Sequence, residues 1–177
     1  VAVGGLSRLV HDHLDKGSED RAKLEIVISE VRRLEMLLKN ILDFSRPLEL
    51  EKSLQDVNLV ILESLAVMEN EARQRNLRLE TRLSDIPPIY FDPARMKQVI
   101  INLVINALQA SLPGKTVSIS TQLRGKNILI DVADCGCGIP VHKRDEIFAP
   151  FVSTKKAGTG LGLPISLKII DAHRGGI

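Results

Sequence analysis

Asp134-Cys135-Gly136-Cys137-Gly138-Ile139-Pro140 and, further on, Gly158-Thr159-Gly160-Leu161-Gly162-Leu163 are two glycine-rich turns within one short span. An apolar strand candidate, Ile128 to Ala133, runs into the first, and the second opens a helix candidate. Between them lie Phe148, Phe151 and the stretch Ser153-Thr154-Lys155-Lys156. A carboxylate such as Asp134 accepts hydrogen bonds and suits the exocyclic amine of adenine. A glycine turn that opens a helix suits phosphate, because unpaired N–H groups and the positive end of the helix dipole point at the anion. Taken singly, an Asp before Gly is a common turn former, and a glycine pair is usually just a turn. Together they imply a nucleotide site.

Upstream, Asn102 and Asn106 stand one helical turn apart and project in the same direction. They share a predicted helix with Val99, Leu103 and Leu108, which are expected to pack on a sheet. An Asn-x-x-x-Asn pair alone is usually structural, but an amide oxygen is a hard ligand that suits Mg²⁺ beside phosphate. Asp92 is the expected cap of this helix, with Pro93 at its first position, and the helix runs to about Ser111. Leu59 to Arg75 reads as another helix. Leu77–Leu83, Ile89–Phe91, Thr116–Leu123 and Asn127–Ala133 read as strands, the last two joined at Arg124-Gly125-Lys126 as a hairpin. A final helix starts near Gly160 and ends by His173. This mixed order predicts an α+β sandwich, with helices on one face of a mixed sheet.

The stretch Glu19 to Ser45 has neither Gly nor Pro and a clear helical period. Leu24, Val27, Val31, Leu34, Leu38 and Ile41 form a heptad seam, widened by Ile28, Met36, Leu37, Leu42 and Phe44. Gly17 is the breaker and Ser18 the cap before it, and Val1 to Leu14 reads as the end of an earlier helix. A helical hairpin of this kind cannot bury so wide a stripe alone. Packing on the rest of the chain is one way to cover it. A dimeric four-helix bundle is favoured. Pro47 ends the helix. The expected organisation is a dimerisation hairpin over 1–47, a linker over 48–55 and a nucleotide domain over 56–177.

In 177 residues, 44% of them hydrophobic, there is material for one good core or for a small domain with a helical appendage. A net charge of +2, five Phe and Tyr side chains and no Trp argue against nucleic-acid binding. Cys135 and Cys137 are the only cysteines, and they lack the second pair a structural zinc site needs. A disulfide within the turn would be strained, so they read as reduced thiols. No apolar run is long enough to cross a bilayer, and no signal peptide is visible.

The order of these motifs resembles the ATP-binding domain of bacterial two-component sensor histidine kinases, a fold shared with gyrase, Hsp90-type chaperones and MutL. The matching text is Gln98 to Ala107, Asp134 to Pro140, Ile147-Phe148-Ala149-Pro150-Phe151, and Ser153 to Ala157 leading into the second glycine turn. The likeness covers Asp56 to Ile177, and Leu38 to Pro47 resembles the end of that family's dimerisation helix. The resemblance implies that Asn106 binds Mg²⁺, with Asn102 supporting it and the phosphates. It implies that Asp134 accepts the adenine amine, with Gly136, Gly138 and Ile139 shaping that wall. Thr154, Lys155, Thr159, Gly160, Leu161, Gly162 and Leu163 would hold the phosphates, and residues 152–159 would form a short lid. The implied activity is transfer of the γ-phosphate of Mg-ATP to a histidine of the dimerisation helix, and then to an aspartate of a response-regulator receiver domain. The implied assembly is a homodimer in the cytoplasm, with no nucleic-acid or membrane contact by this portion, whether or not a larger protein is membrane-anchored.

Three departures qualify that reading. Related ATPases of the gyrase, chaperone and mismatch-repair group carry a Glu where this chain has Asn102, so transfer to protein is favoured over hydrolysis. A His-Glu-x-x-Asn-Pro-Leu-like box is absent, and Val1-Ala2-Val3-Gly4-Gly5-Leu6 resembles the text that follows it, so the acceptor is expected just before Val1. His11 and His13 fall near the hairpin turn and are not assigned that role, while His142 and His173 read as solvated or structural. The family's domain also continues past a Gly-Gly-Ile-like segment, so Gly175-Gly176-Ile177 reads as an abrupt end. An ATP hydrolase of the same fold and a catalytically silent dimeric scaffold are the alternatives.

Overall fold

The computed structural model describes residues 2–15, 18–45, 47–153 and 159–177, apart from the side chains of Ala2, Val3, Arg8, Met36, Leu37, Lys39, Asn40, Asp43 and Phe44. Gly17, the side chains of Met36, Leu37 and Phe44, and Thr154, Lys155, Lys156, Ala157 and Gly158, all invoked from sequence, lie outside the described residues. The chain divides into two compact units, Val1–Arg46 and Pro47–Ile177.

In the first unit, α1 (Ala2–His13) packs on α2 (Glu19–Ser45). Ser18 caps α2, its Oγ accepting from the Arg21 N–H at 3.2 Å, and Glu19 and Asp20 complement the helix dipole in the first turn. Arg21 reaches back to donate to the Leu14 carbonyl at 2.9 Å. His11 lies 3.1 Å from the Asp12 carboxylate and 3.2 Å from that of Glu25 on α2. These bonds, that to Asp12 first, raise the imidazole pKa. His13 is bonded to the Leu9 carbonyl.

The second unit runs β1 (Ser53–Gln55), α3 (Val57–Gln74), β2 (Arg78–Leu83), β3 (Ile89–Phe91), α4 (Pro93–Ala110), β4 (Thr116–Arg124), β5 (Asn127–Ala133), two single-turn 3₁₀ helices (Val141–Lys143 and Glu146–Phe148) and α5 (Gly162–Ala172). A mixed sheet has the order β2-β4-β5, with β2 parallel to β4 and β5 antiparallel to it. Gly125, at φ 63°, makes the β4–β5 turn, with Arg124 opposite Asn127. A second ladder pairs β1 antiparallel with β3, from Ser53 opposite Phe91 to Gln55 opposite Ile89. The end of the expected linker is thus a strand. Three residues are too short to show a period, so pairing with β3 rather than local pattern creates β1.

Alternation in β4 buries Val117, Ile119 and Thr121. To the same core α4 gives Val99, Ile100, Val104 and Leu108, α3 gives Ile61 and Leu65, and α5 gives Ile165 and Ile169. Each such side chain contributes about 1.5–3 kcal/mol on burial. Leu103, expected at the sheet, is only half-buried. Helix α4 touches α3, α5, β4 and β5, so it is the central element of the unit. The buried Thr121 hydroxyl is satisfied by Asn58, to which it donates at 3.0 Å, and by the Ser84 N–H, from which it accepts at 3.1 Å.

Asp92 fixes the start of α4. It is buried, and its carboxylate accepts from the Arg95 N–H at 3.0 Å and from the Glu51 N–H at 2.9 Å. Its own N–H donates to His173 Nε2 at 3.0 Å, while His173 Nδ1 donates to the Ile169 carbonyl at 2.8 Å. His173 is therefore structural and ties the end of α5 to the start of α4. Burial alone would push the Asp92 carboxyl up, but N–H donors from Arg95, Glu51 and Ala94, with the Arg95 charge, hold it below the ordinary value. A lowered folded-state pKa gives stability above the unfolded-state value, which is lost as pH falls through the folded one. Asp92→Ala is expected to cost about 1–2 kcal/mol at neutral pH. In urea unfolding, that deficit relative to the unmodified chain should shrink once the pH drops below the folded carboxyl's range. A deficit independent of pH would show that the charge plays no part.

Candidate functional site

Helix α4 places Asn102 and Asn106 one turn apart, both half-buried. Asn102 Nδ2 donates to Ser166 Oγ at 2.9 Å, and Ser166 is a buried residue of α5. A Cβ added at Gly162 would overlap the Asn102 amide, so glycine is what lets the first turn of α5 press against it. Asn102 and the second glycine turn, distant in sequence, therefore meet. Asn102 turns its carboxamide NH₂ to Ser166 and its oxygen to the α5 start.

Expected near Gly160, α5 begins at Gly162 instead. Leu161, fully buried, anchors its N-terminus, which has no side-chain cap. First-turn N–H groups at such an end are available to an anion, although Pro164 has none to give. Thr159 Oγ1 accepts from the Leu161 N–H at 3.3 Å. Gly160 takes φ 65°, and an added Cβ there would strike the backbone of Phe151 and Val152. Phe151 N–H donates to the Gly160 carbonyl at 3.0 Å, so the phenylalanine segment closes onto the glycine turn. Phe151 itself adopts φ 67°, which is costly for an aromatic residue, by about 1–3 kcal/mol. Leu163 is half-buried on α5.

At the other turn, Asp134 follows β5 directly and is exposed. One carboxylate oxygen accepts from the Gly136 N–H at 2.8 Å, which leaves the second oxygen for a ligand donor. Gly136 lies against the last turn of α4, where an added Cβ would come within 2.6 Å of the Ala110 carbonyl oxygen. Gly138 has open space but takes φ 71°, and Ile139 is exposed. Among the described residues no three His, Cys, Asp or Glu side chains gather as a metal site.

Ser166, Ser111 and Ala110 escaped the sequence reading. Ser111 Oγ accepts from the Cys135 N–H at 3.3 Å and, with Ala110, seats the first glycine turn on α4. Nothing local marks these residues. The one hint was a Ser on an otherwise apolar face, one turn after Gly162.

Residues 91–177 match the family model described as histidine kinase-, DNA gyrase B-, and HSP90-like ATPase. Sensor histidine kinase ZraS of Escherichia coli (strain K12) is 32% identical over 177 residues, which cover 99% of this chain and 38% of that protein. The histidine kinase AdeS of Acinetobacter baumannii is 30% identical with a TM-score of 0.71, over 97% of this chain and 83% of that one. Histidine kinase ThkA in complex with the response regulator protein TrrA is 30% identical with a TM-score of 0.76, over 98% of this chain and 51% of that one. The chain belongs to the histidine kinases, and its second unit carries their ATPase domain.

Gly136 and Gly138 should respond differently to substitution. Gly138→Ala pays only for positive φ, about 1–2 kcal/mol. Gly136→Ala has no positive φ to strain but must move the α4 backbone, an overpacking cost of about 1–3 kcal/mol. Urea denaturation should show Gly136→Ala destabilised despite its ordinary φ. A variant as stable as the unmodified chain would mean that this turn is not seated on α4.

Proposed function

We propose that this chain is the catalytic core of an ATP-dependent protein-histidine kinase. It binds Mg-ATP, transfers the γ-phosphate to a histidine on the dimerisation helix, and passes it on to an aspartate of a response-regulator receiver domain. The observation that carries this reading is the meeting of Asn102, Ser166 and Gly162, which puts the Asn102 amide beside an uncapped helix N-terminus. The family match and a relative that forms a complex with a response regulator support it.

In this reading Asn106 gives an oxygen to Mg²⁺, which when bound would neutralise phosphate charge. Asn102, held by Ser166, supports the metal and the phosphates. The free Asp134 oxygen accepts the adenine amine, and Gly136, Gly138 and Ile139 form the wall beside it. Thr154, Lys155 and Thr159 to Leu163 receive the phosphates, and residues 152–159 act as the lid. Phosphoryl transfer needs positioning and charge neutralisation more than covalent participation by the protein, and amides and backbone N–H groups supply that. With Asn102 in the position of a water-activating Glu, the site holds ATP without promoting hydrolysis.

The hairpin over 1–47 serves as the dimerisation element. Val27 (44%), Leu34 (56%), Leu38 (60%) and Ile41 (43%) of the α2 seam are exposed in the single chain. A second hairpin would bury this stripe in a four-helix bundle. His11 is engaged by two carboxylates, which supports leaving the acceptor role to another histidine. The domain works in the cytoplasm, where ATP and the receiver partner are found.

A chain extended upstream of Val1, incubated with Mg²⁺ and γ-labelled ATP, should acquire protein-bound phosphate that is labile to acid and stable to alkali. Release of free phosphate without labelled protein would replace kinase by hydrolase, and neither signal would leave a silent scaffold. Asn106→Ala should remove Mg-dependent labelling, by about a hundredfold or more if it acts through charge positioning. Asp134→Ala should erase the preference for ATP over GTP. Unchanged labelling or unchanged preference would strip those residues of their roles.

A further inference from the structure

Ser166 is 1% exposed, and the other buried residues of α5 are Pro164, Ile165 and Ile169. A buried hydroxyl costs free energy unless it is paired, and serine suits a helix interior less well than alanine of nearly the same size. Packing alone therefore gives no reason for a serine here. Its partner lies on another helix, where Asn102 Nδ2 of α4 donates to the hydroxyl at 2.9 Å.

Gly162 and Ser166 stand one helical turn apart, so they border one notch on α5. The Asn102 carboxamide occupies that notch. A Cβ at Gly162 would overlap its oxygen and carbon and crowd its nitrogen, and Ser166 holds the nitrogen. Both polar ends of Asn102 are thus turned to α5. The terminal torsion of an asparagine is broad and roughly two-fold, so a fixed partner is what keeps donor and acceptor from exchanging places. Asn102 shares α4 with Asn106, and Gly162 opens the uncapped first turn of α5. One hydrogen bond therefore links the helix assigned to the metal with the helix end assigned to the phosphates.

We propose that Ser166 is a positioning residue of the nucleotide site: by holding the Asn102 carboxamide in the Gly162 notch, it sets where the phosphate-binding end of α5 stands relative to the asparagine face of α4. The inference rests on the ATP-binding reading above, and it has Asn102 act in the site through α5. The Ser166 hydroxyl is buried, so it acts on the nucleotide only through Asn102 and the helix start. With this bond removed, the buried Ile165 and Ile169 still hold α5 in the core. What is lost is the contact that fixes its register beside α4. Binding and transfer of a phosphoryl group depend on placement to within about 1 Å, so a small slip of α5 is read as lost affinity before it is read as unfolding.

Ser166→Ala, Asn102→Ala and the double variant would be compared with the unmodified chain by Mg-ATP calorimetry, with urea unfolding to show that each is folded. Ser166→Ala should weaken Mg-ATP binding about tenfold, as the loss of one buried hydrogen bond implies. Asn102→Ala should weaken it at least as much. The double variant should match Asn102→Ala to within about twofold, because Ser166 has nothing left to position once the amide is gone. Ser166→Cys keeps the volume and a weak acceptor, so it should recover part of the affinity. It also takes the place of Ser166→Ala in the comparison if the alanine variant does not fold. The inference is overturned if loss of the hydroxyl leaves Mg-ATP affinity unchanged, if the two single losses simply add in the double variant, or if Ser166→Cys binds no better than Ser166→Ala. Additive losses would mean that Ser166 serves the fold alone. An unmodified chain that fails to bind Mg-ATP would instead overturn the nucleotide reading, and this inference with it.

Discussion

The seam between α4 and α5 is the constraint on which the second unit depends. One end is pinned where Asn102 donates to the buried Ser166 hydroxyl, and the other where the Asp92 N–H donates to His173. Between these points the contact is apolar, with Ile165 and Ile169 buried from α5. Apolar contact supplies most of the energy but little register, because hydrophobic surfaces slide. A hydrogen bond is directional and costs desolvation if a buried partner such as Ser166 or Asp92 loses it, so these two part-buried bonds set the register of the helices. Glycine at 162 then permits an approach that any side chain would prevent.

That seam couples stability to the site. Helix α4 carries both asparagines, its last turn seats the first glycine turn through Ala110 and Ser111, and its flank receives the start of α5. One helix thus sets the spacing of the groups assigned here to metal, adenine and phosphate. A reaction that depends on position more than on covalent chemistry is well served by mounting its parts on one rigid element. The cost is local, in the positive φ of Phe151, while Gly138 and Gly160 adopt theirs without strain.

Much of this was legible from the chain. Asp92 before Pro93 announces the start of α4, and α4 begins there. Gly125 between two alternating runs announces the β4–β5 hairpin, and the register agrees. These signals are local, since a cap or a turn is decided by residues next to it. The short strand β1 was missed because it exists only through its pairing with β3. Ser166 and Ser111 were missed because a serine gains a partner only when another element arrives. Of the residues expected at the phosphates, Thr159 to Leu163 lie at the α5 N-terminus.

By itself the sequence determined the order of helices and strands, the two glycine turns and the residue types at the site. Those depend on propensity, period and capping, which act over a few neighbouring residues. Only the tertiary structure decided that the Asn102 turn and the Gly162 turn would touch, that Gly136 would rest on the end of α4, and that His173 would be a structural tie rather than a solvated side chain. Such contacts join residues far apart in the chain, and they follow from how layers pack on a shared core.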